Sequence, residues 1–194
     1  MASLDQGPAY VSYHSQFCDD KTAEICCGIP ILPLKGEDKN SAAPRFQGEG
    51  QDIVDEAIEM FRAQILFTTF KPKGPADSII VYLTSFIQKV LEQWAKHQGK
   101  PDKILAIGKE LVDWDIETNS ADFFMNKLGQ LKKPKNGTEE AKMKKYLKQC
   151  KSECFERLHA RLTNATTGDM DRKYWLVFGK KPYLGHKFCT KAVF

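Results

Sequence analysis

The residues best able to do chemistry are six cysteines, four histidines and a few clustered carboxylates. Cys150 and Cys154 stand four apart, with His159 five residues further on, a spacing within reach of a zinc ion. A structural zinc site takes four ligands at short spacings, and no second pair accompanies this one. Both thiols also fall on the apolar face of a helical pattern, where unreactive buried cysteines are common. Asp52, Asp55, Glu56 and Glu59 could pair as acid and base. Their places at the start of a helix account for them instead as a cap, as charge opposing the helix dipole and as a solvated face. Cys189 near His186 is a nominal nucleophile and base, with no third group to orient the base. His14 and His97 have no partner in sequence and are expected to be hydrogen-bonding or solvated. No Gly-rich phosphate loop follows a strand, and no metalloprotease or calcium-loop spacing occurs. These residues argue against an enzyme, and no metal or cofactor is expected.

Recognition chemistry is better supplied. From Lys132 to Lys148 there are seven lysines against two glutamates. From Arg172 to Lys191 there are six basic residues and no acid, interleaved with Tyr174, Trp175, Phe178, Tyr183 and Phe188. Such a mixture suits nucleic acid, through phosphate contacts and base stacking, so a small basic nucleic-acid-binding module is one reading. It equally suits an acidic protein surface, with aromatic anchors ringed by charge. A solvated face above core aromatics would leave the same pattern. The formal charge of +4, from 29 basic and 25 acidic side chains, hides these runs. Acidic segments at 49–59 and 113–122 offset them.

The elements that must hold these groups are mainly helical. With 194 residues, 42% hydrophobic and 28% charged, the chain suits one domain with a continuous core. Its expected parts are a loop-rich arm over 1–50, a helical core over 51–163 and a basic aromatic tail over 164–194. The island CCGIPILPLKG (26–36) is expected to run extended over the surface, anchored by Ile29, Ile31, Leu32 and Leu34, because Pro30 and Pro33 exclude a helix. Lys35 to Gly50 reads as an exposed loop. A helix should begin at Asp52, with an apolar stripe through Ile53, Ala57, Phe61 and Ile65 and a stop at Lys71–Pro75. A second should run from Asp77 to Gln98. Its first half is apolar nearly all round, which places it centrally. Ile104 to Val112 fits a short helix or β-structure, Asp113 to Asp122 an acidic loop, and Phe123, Phe124, Met125 and Leu128 a return to the core. A third long helix should start at a Thr138 cap and bury Met143, Tyr146, Leu147, Cys150, Cys154, Phe155, Leu158 and Leu162. Asn164 to Asp171 reads as a loop, and Gly179, Pro182 and Gly185 cut the tail.

The longest uncharged apolar stretch, Ser78 to Gln88, falls well short of the ~20 residues that span a membrane, so no membrane association is expected. The start, MASLDQGPAY, lacks the basic and apolar regions of a secretory signal. A cytoplasmic protein with reduced thiols follows as the expectation.

Several segments together resemble one family. They are PAY (8–10), YHSQF (13–17), CGIPILPLKG (27–36), DIVDEAIEMFRAQILFTTF (52–70), ADSIIVYLTSFIQKVL (76–91) and, in the tail, RKYW (172–175) and FGKKPYLGHK (178–187). The chain resembles subunit 3 of the actin-related protein 2/3 complex, the small 21-kDa-type subunit, over about residues 8–190. Tyr174-Trp175 stands where that family has a pair of tryptophans. The resemblance implies a mainly α, non-catalytic subunit beside the actin-related protein 3 subunit of a seven-subunit assembly. That assembly nucleates a new actin filament as a branch on an existing one. ATP and its metal would belong to the actin-related subunits. The implied partners are the other subunits and the actin filament, with neither membrane nor nucleic acid. A basic patch of Lys142, Lys144, Lys145, Arg172, Lys173, Lys180, Lys181 and Lys187, with Tyr183 as a candidate anchor, is the expected partner-binding surface.

Overall fold

The computed structural model describes residues 13–36, 41–98, 100–114, 116, 123–127, 129 and 131–185. Among them the chain forms five α-helices, a two-stranded hairpin and a 3₁₀ segment, the mainly α architecture that the periodicity predicts. Helix α1 (Ile53–Gln64) starts where the Asp52 carboxylate accepts the N–H groups of Val54 and Asp55 at 3.0 and 2.9 Å. This satisfies two of the donors that every helix start leaves unpaired. The helix stops at Gln64, well before the expected Lys71–Pro75 stop, and a loop joins it to α2 (Pro75–Lys96). Helix α2 begins at Pro75 rather than Asp77, since proline's missing N–H is not needed in a first turn. Every residue from Ala76 to Leu91 is buried, so α2 lies at the centre of the core.

Helix α3 (Pro101–Asp113) settles the ambiguous middle as helix, with Ile104 and Leu111 inward and Leu105 exposed. The short α4 (Phe124–Lys127) carries Met125 into the core beside the preceding Phe123. Helix α5 (Gly137–Leu162) buries the whole predicted stripe from Met143 to Leu162. Its cap is Asn136, not Thr138. The Asn136 side chain accepts the Glu139 N–H at 2.8 Å, which leaves Thr138 inside the first turn.

The apolar island is not simply extended. It folds back as a hairpin of β1 (Glu24–Cys26) and β2 (Ile29–Ile31). Cys27 and Gly28, with φ of +51° and +85°, make its tight turn in the left-handed region, the twist that suits two-residue hairpins. Pro30 is tolerated because both strands of a two-stranded sheet are edges. Ile29, Ile31, Leu32 and Leu34 are the buried anchors, and the Leu32 N–H donates to the Tyr146 hydroxyl at 3.2 Å. In the segment read as an exposed loop, Leu34 bridges to Arg45 and Ala43 is buried.

Of the carboxylates around α1, Asp52 caps and Glu59 is exposed as expected, but the solvated face does not extend to the rest. Asp52 and Glu56 are buried. Besides its capping bonds, Asp52 accepts Arg157 Nη1 and Nη2 from α5 at 2.6 and 2.9 Å and the Lys35 N–H at 2.9 Å. Burial opposes its charge, yet these donors hold its pKa below the ordinary value. Arg157 also bonds Asp55 at 2.9 Å and Glu153. Glu56 and the buried Asp77 together fasten the segment before the hairpin. Glu56 accepts the Tyr13 and Ser15 hydroxyls at 2.5 and 2.6 Å and the Gln16 N–H. Asp77 accepts the Ser15 and Lys73 N–H groups and meets His14 Nδ1, each at 2.8 Å.

Cys150 and Cys154 are buried, and burial pushes both thiols up. His159 lies against the rings of Trp94 and Phe155. Among the described residues no three His, Cys, Asp or Glu side chains group as metal ligands, and no helix is long and apolar enough to cross a membrane. Cys189, His186, Phe124's side chain, Leu128 and most of the acidic 115–122 run lie outside the described residues.

Candidate docking surface

The tail forms a 3₁₀ segment over Lys173–Lys180, continuous through the Gly179 expected to cut it and ended at Lys181, just before Pro182. Three residues per turn sort its side chains into three rows. Trp175 and Phe178 face α1. Trp175 stacks on Phe61 at 5.6 Å between centroids, and Phe178 meets the same ring edge-on at 6.0 Å. Leu176 and Gly179 turn inward, and Gly179 lies so close to α2 that a Cβ there would sit 2.5 Å from Glu92 N. Tyr174, Val177 and Lys180 form the third row, which is exposed; Tyr174 and Val177 are 55% and 56% accessible. Beyond the segment, the chain is tied by Gln88 Nε2 donating to the Lys181 carbonyl and by the Leu184 N–H donating to the Phe67 carbonyl at 3.2 Å.

Two arginines complete the face, and neither was singled out in the sequence. The Arg62 guanidinium lies 5.6 Å from the Tyr174 ring centroid and 6.0 Å from that of Phe178. Arg161, near the end of α5, lies 5.8 Å from that of Trp175. These are cation–π distances, and they hold Arg and Tyr in place at the surface. The available signal was position, because each arginine is adjacent to an apolar stripe residue, Phe61 or Leu162, on its helix.

The expected basic residues do not form one patch. Arg172, Lys173, Lys180 and Lys181 are exposed around the 3₁₀ segment, and among the described residues none has a carboxylate within ion-pair distance. Lys142, Lys144 and Lys145 lie in the first half of α5. From Lys145 to Arg161 the helix rises roughly 24 Å at ~1.5 Å per residue. Their charge is also partly spent within the chain. Lys142 pairs with Glu24 at 2.5 Å, Lys144 with Glu140 at 2.9 Å and the neighbouring Lys148 with Asp113 at 3.0 Å. Lys145 is exposed. Tyr183 is fully buried, because the turn after Pro182 directs its ring into the core, and burial pushes its phenol above the usual range. It is therefore no surface anchor. Lys187 lies outside the described residues.

Among the described residues the tail face thus offers positive charge without a carboxylate at ion-pair distance, one exposed tyrosine and one exposed valine. Comparison with known proteins agrees with the segments singled out in the sequence. The family model described as P21-Arc, the ARP2/3 complex ARPC3 (21 kDa) subunit, matches residues 10–188. The chain is 34% identical over 177 residues to actin-related protein 2/3 complex subunit 3 of Arabidopsis thaliana, covering 89% of this chain and 96% of that one. The subunit 3 of Dictyostelium discoideum is 34% identical over 176 residues, with 89% and 97% covered. That of Schizosaccharomyces pombe is 31% identical over 173 residues, again with 89% and 97% covered. With nearly its whole length matched, the chain belongs to the P21-Arc family, that of the ARP2/3 complex 21-kDa subunit.

Proposed function

We propose that this chain is a non-catalytic subunit of the actin-nucleating actin-related protein 2/3 complex. It docks on the actin-related protein 3 subunit and contributes to the junction with the mother filament in the cytoplasmic actin cytoskeleton. The observation that carries this reading is the exposed 3₁₀ face, where Arg172, Lys173, Lys180 and Lys181 stand without carboxylate partners around Tyr174 and Val177. Unneutralised charge of one sign steers association with a surface of the other sign. Actin surfaces are largely acidic. The nucleic-acid reading loses much of its support, because two of the tail aromatics that could stack on bases, Trp175 and Tyr183, are buried.

The test is charge reversal. Lys180→Glu with Lys181→Glu, in complex reconstituted with the other subunits, should lower branching roughly tenfold at low ionic strength and less at physiological salt. Its thermal unfolding should match wild type. Branching unchanged at both salt concentrations would refute the filament role. Failure of the wild-type chain to co-purify with actin-related proteins 2 and 3 would refute the subunit role.

A further inference from the structure

We infer that Tyr13–Cys18 is a polar latch that opens as one unit while the helical core and the tail stay folded. The latch belongs to the chain itself, whichever partners the chain meets. Ser15 is its keystone. The Ser15 N–H donates to Asp77 Oδ1 at the start of α2 at 2.8 Å, and its hydroxyl donates to Glu56 Oε2 on α1 at 2.6 Å, so one residue spans two helices. The Tyr13 hydroxyl and the Gln16 N–H take the other Glu56 oxygen, and His14 Nδ1 meets the other Asp77 oxygen. Every oxygen of these two buried carboxylates is thus engaged by the latch. Hydrogen bonds to ionised acceptors are strong, but they act only at short range and are lost together when the segment lifts. Apolar anchoring is slight beside them. Within the latch only Ser15 is buried, while Phe17 and Cys18 pack partly buried against the core. From Gln16 to Ile25 no residue is buried, so the latch is uncoupled from the first hairpin anchor, Cys26. A contiguous segment with few buried apolar contacts is the kind of unit that opens locally. Helices α1 and α2 also pack directly on each other, and that contact stays when the latch leaves. Cys18 reports the motion. Its side chain lies against the start of α2, where a Cβ on Gly74 would sit 2.8 Å from Cys18 Cβ, and burial with the adjacent Asp77 pushes the thiol up to about 11. The closed latch therefore keeps this thiol slow, and the open one returns it to ordinary reactivity.

The experiment labels the full-length chain with iodoacetamide at fixed pH across a series of urea concentrations below the unfolding transition. Mass spectrometry of the digest reads Cys18 separately from the buried Cys150 and Cys154. In the wild type Cys18 should label faster than either, at a rate that urea barely changes, because local opening exposes little surface. Cys150 and Cys154 should label only through opening of the whole fold, with a steep dependence on urea. Ser15→Ala removes one bond to a charged acceptor and should raise the Cys18 rate about tenfold. Ile104→Val, in the core beneath α3, should raise the Cys150 and Cys154 rates about two- to tenfold and leave the Cys18 rate unchanged. Equal rates at all three cysteines, rising together with urea or with Ile104→Val, overturn the inference, because the latch then opens only with the whole fold. A Cys18 rate that Ser15→Ala leaves unchanged also overturns it, because the thiol then reacts through the closed latch.

Discussion

Replacing Gly179 with alanine should unseat the tail, and the size of the effect follows from the local geometry. A Cβ on Gly179 would lie 2.5 Å from Glu92 N and 2.8 Å from Leu91 C, both helix backbone that cannot swing aside. Carbon contacts settle at about 3.5–4.0 Å, so the segment must lift by roughly 1 Å. A gap of that size forfeits up to about half the dispersion between the atoms it separates. Overpacking of this kind costs about 1–3 kcal/mol. Alanine returns about 0.4–1 kcal/mol by restricting the unfolded chain, which leaves a net loss of about 1.3 kcal/mol at mid-range and about 2.6 kcal/mol at most. In a chain of 194 residues the mid-range loss lowers Tm by about 3–5 °C. Thermal unfolding followed by circular dichroism reads the total, and hydrogen exchange at the Lys181 and Leu184 amides reads the tail. Gly137→Ala is the control, since a Cβ there meets nothing within 4 Å and stability should hold or rise slightly. A Gly179→Ala protein as stable as wild type, with the same amide protection, would refute the close packing of tail on α2.

Removing Arg157 as Arg157→Met leaves the buried Asp52 carboxylate without its charged partner and should cost about 3–5 kcal/mol in urea unfolding; a loss under about 1 kcal/mol would show the pair to be a weak surface contact. Acid stability should follow the buried aspartates. Burial opposes the charge on Asp77, but the N–H groups of Ser15 and Lys73, with His14 and Cys18, hold its pKa below the ordinary 3.8. Its contribution is present above that value and lost as pH falls through the lower folded one. Asp77→Asn should flatten this acid limb in urea melts run from pH 5 down to pH 2, and an unchanged limb would place the acid sensitivity elsewhere. Glu153 has the opposite sign. Burial raises its pKa, so its contribution weakens as pH rises through the folded value, and Glu153→Gln should flatten the stability profile just above pH 4.5. Lys151 is fully buried on α5 and donates to the carbonyls of Leu111 and Trp114 at the end of α3 at 3.3 and 2.8 Å. Lys151→Met should cost about 1–3 kcal/mol and raise exchange in the last turn of α3; neutrality would mean that water satisfies those carbonyls as well.

The long helices α1, α2 and α5 were legible because apolar residues recur at helical spacing along them, whereas α3 and the short α4 carry too few to decide. Phe61 and Leu158 can be assigned to the core from their neighbours alone. Asp52 was legible as a cap for the same local reason. Its bond to Arg157 was not, because the partner lies 105 residues away and a helix-face arginine looks solvated in sequence. The cap of α5 was misplaced by two residues since Asn136 and Thr138 carry equivalent oxygens, and only backbone direction decides which one meets Glu139. The docking surface was half visible. Its charges could be counted, but Lys142 is paired with a glutamate 118 residues earlier, which composition cannot reveal. The burial of Trp175 beside the exposure of Tyr174 depends on a three-residue turn too short to leave a periodic signal.

The hairpin and the segment before it carry a consequence for how the protein is made. Gly36 donates its N–H to Glu153 and Leu32 to Tyr146, so a segment made early rests on one made more than a hundred residues later. The 117 residues between Gly36 and Glu153 take about 6–23 s to translate at ~5–20 residues per second. Within that interval α2 is made and can cover part of β2, but the surface that α5 supplies to the hairpin is still missing. The fold therefore cannot be completed from the N-terminal side forward: the hairpin finds its last partners only once α5 has been made.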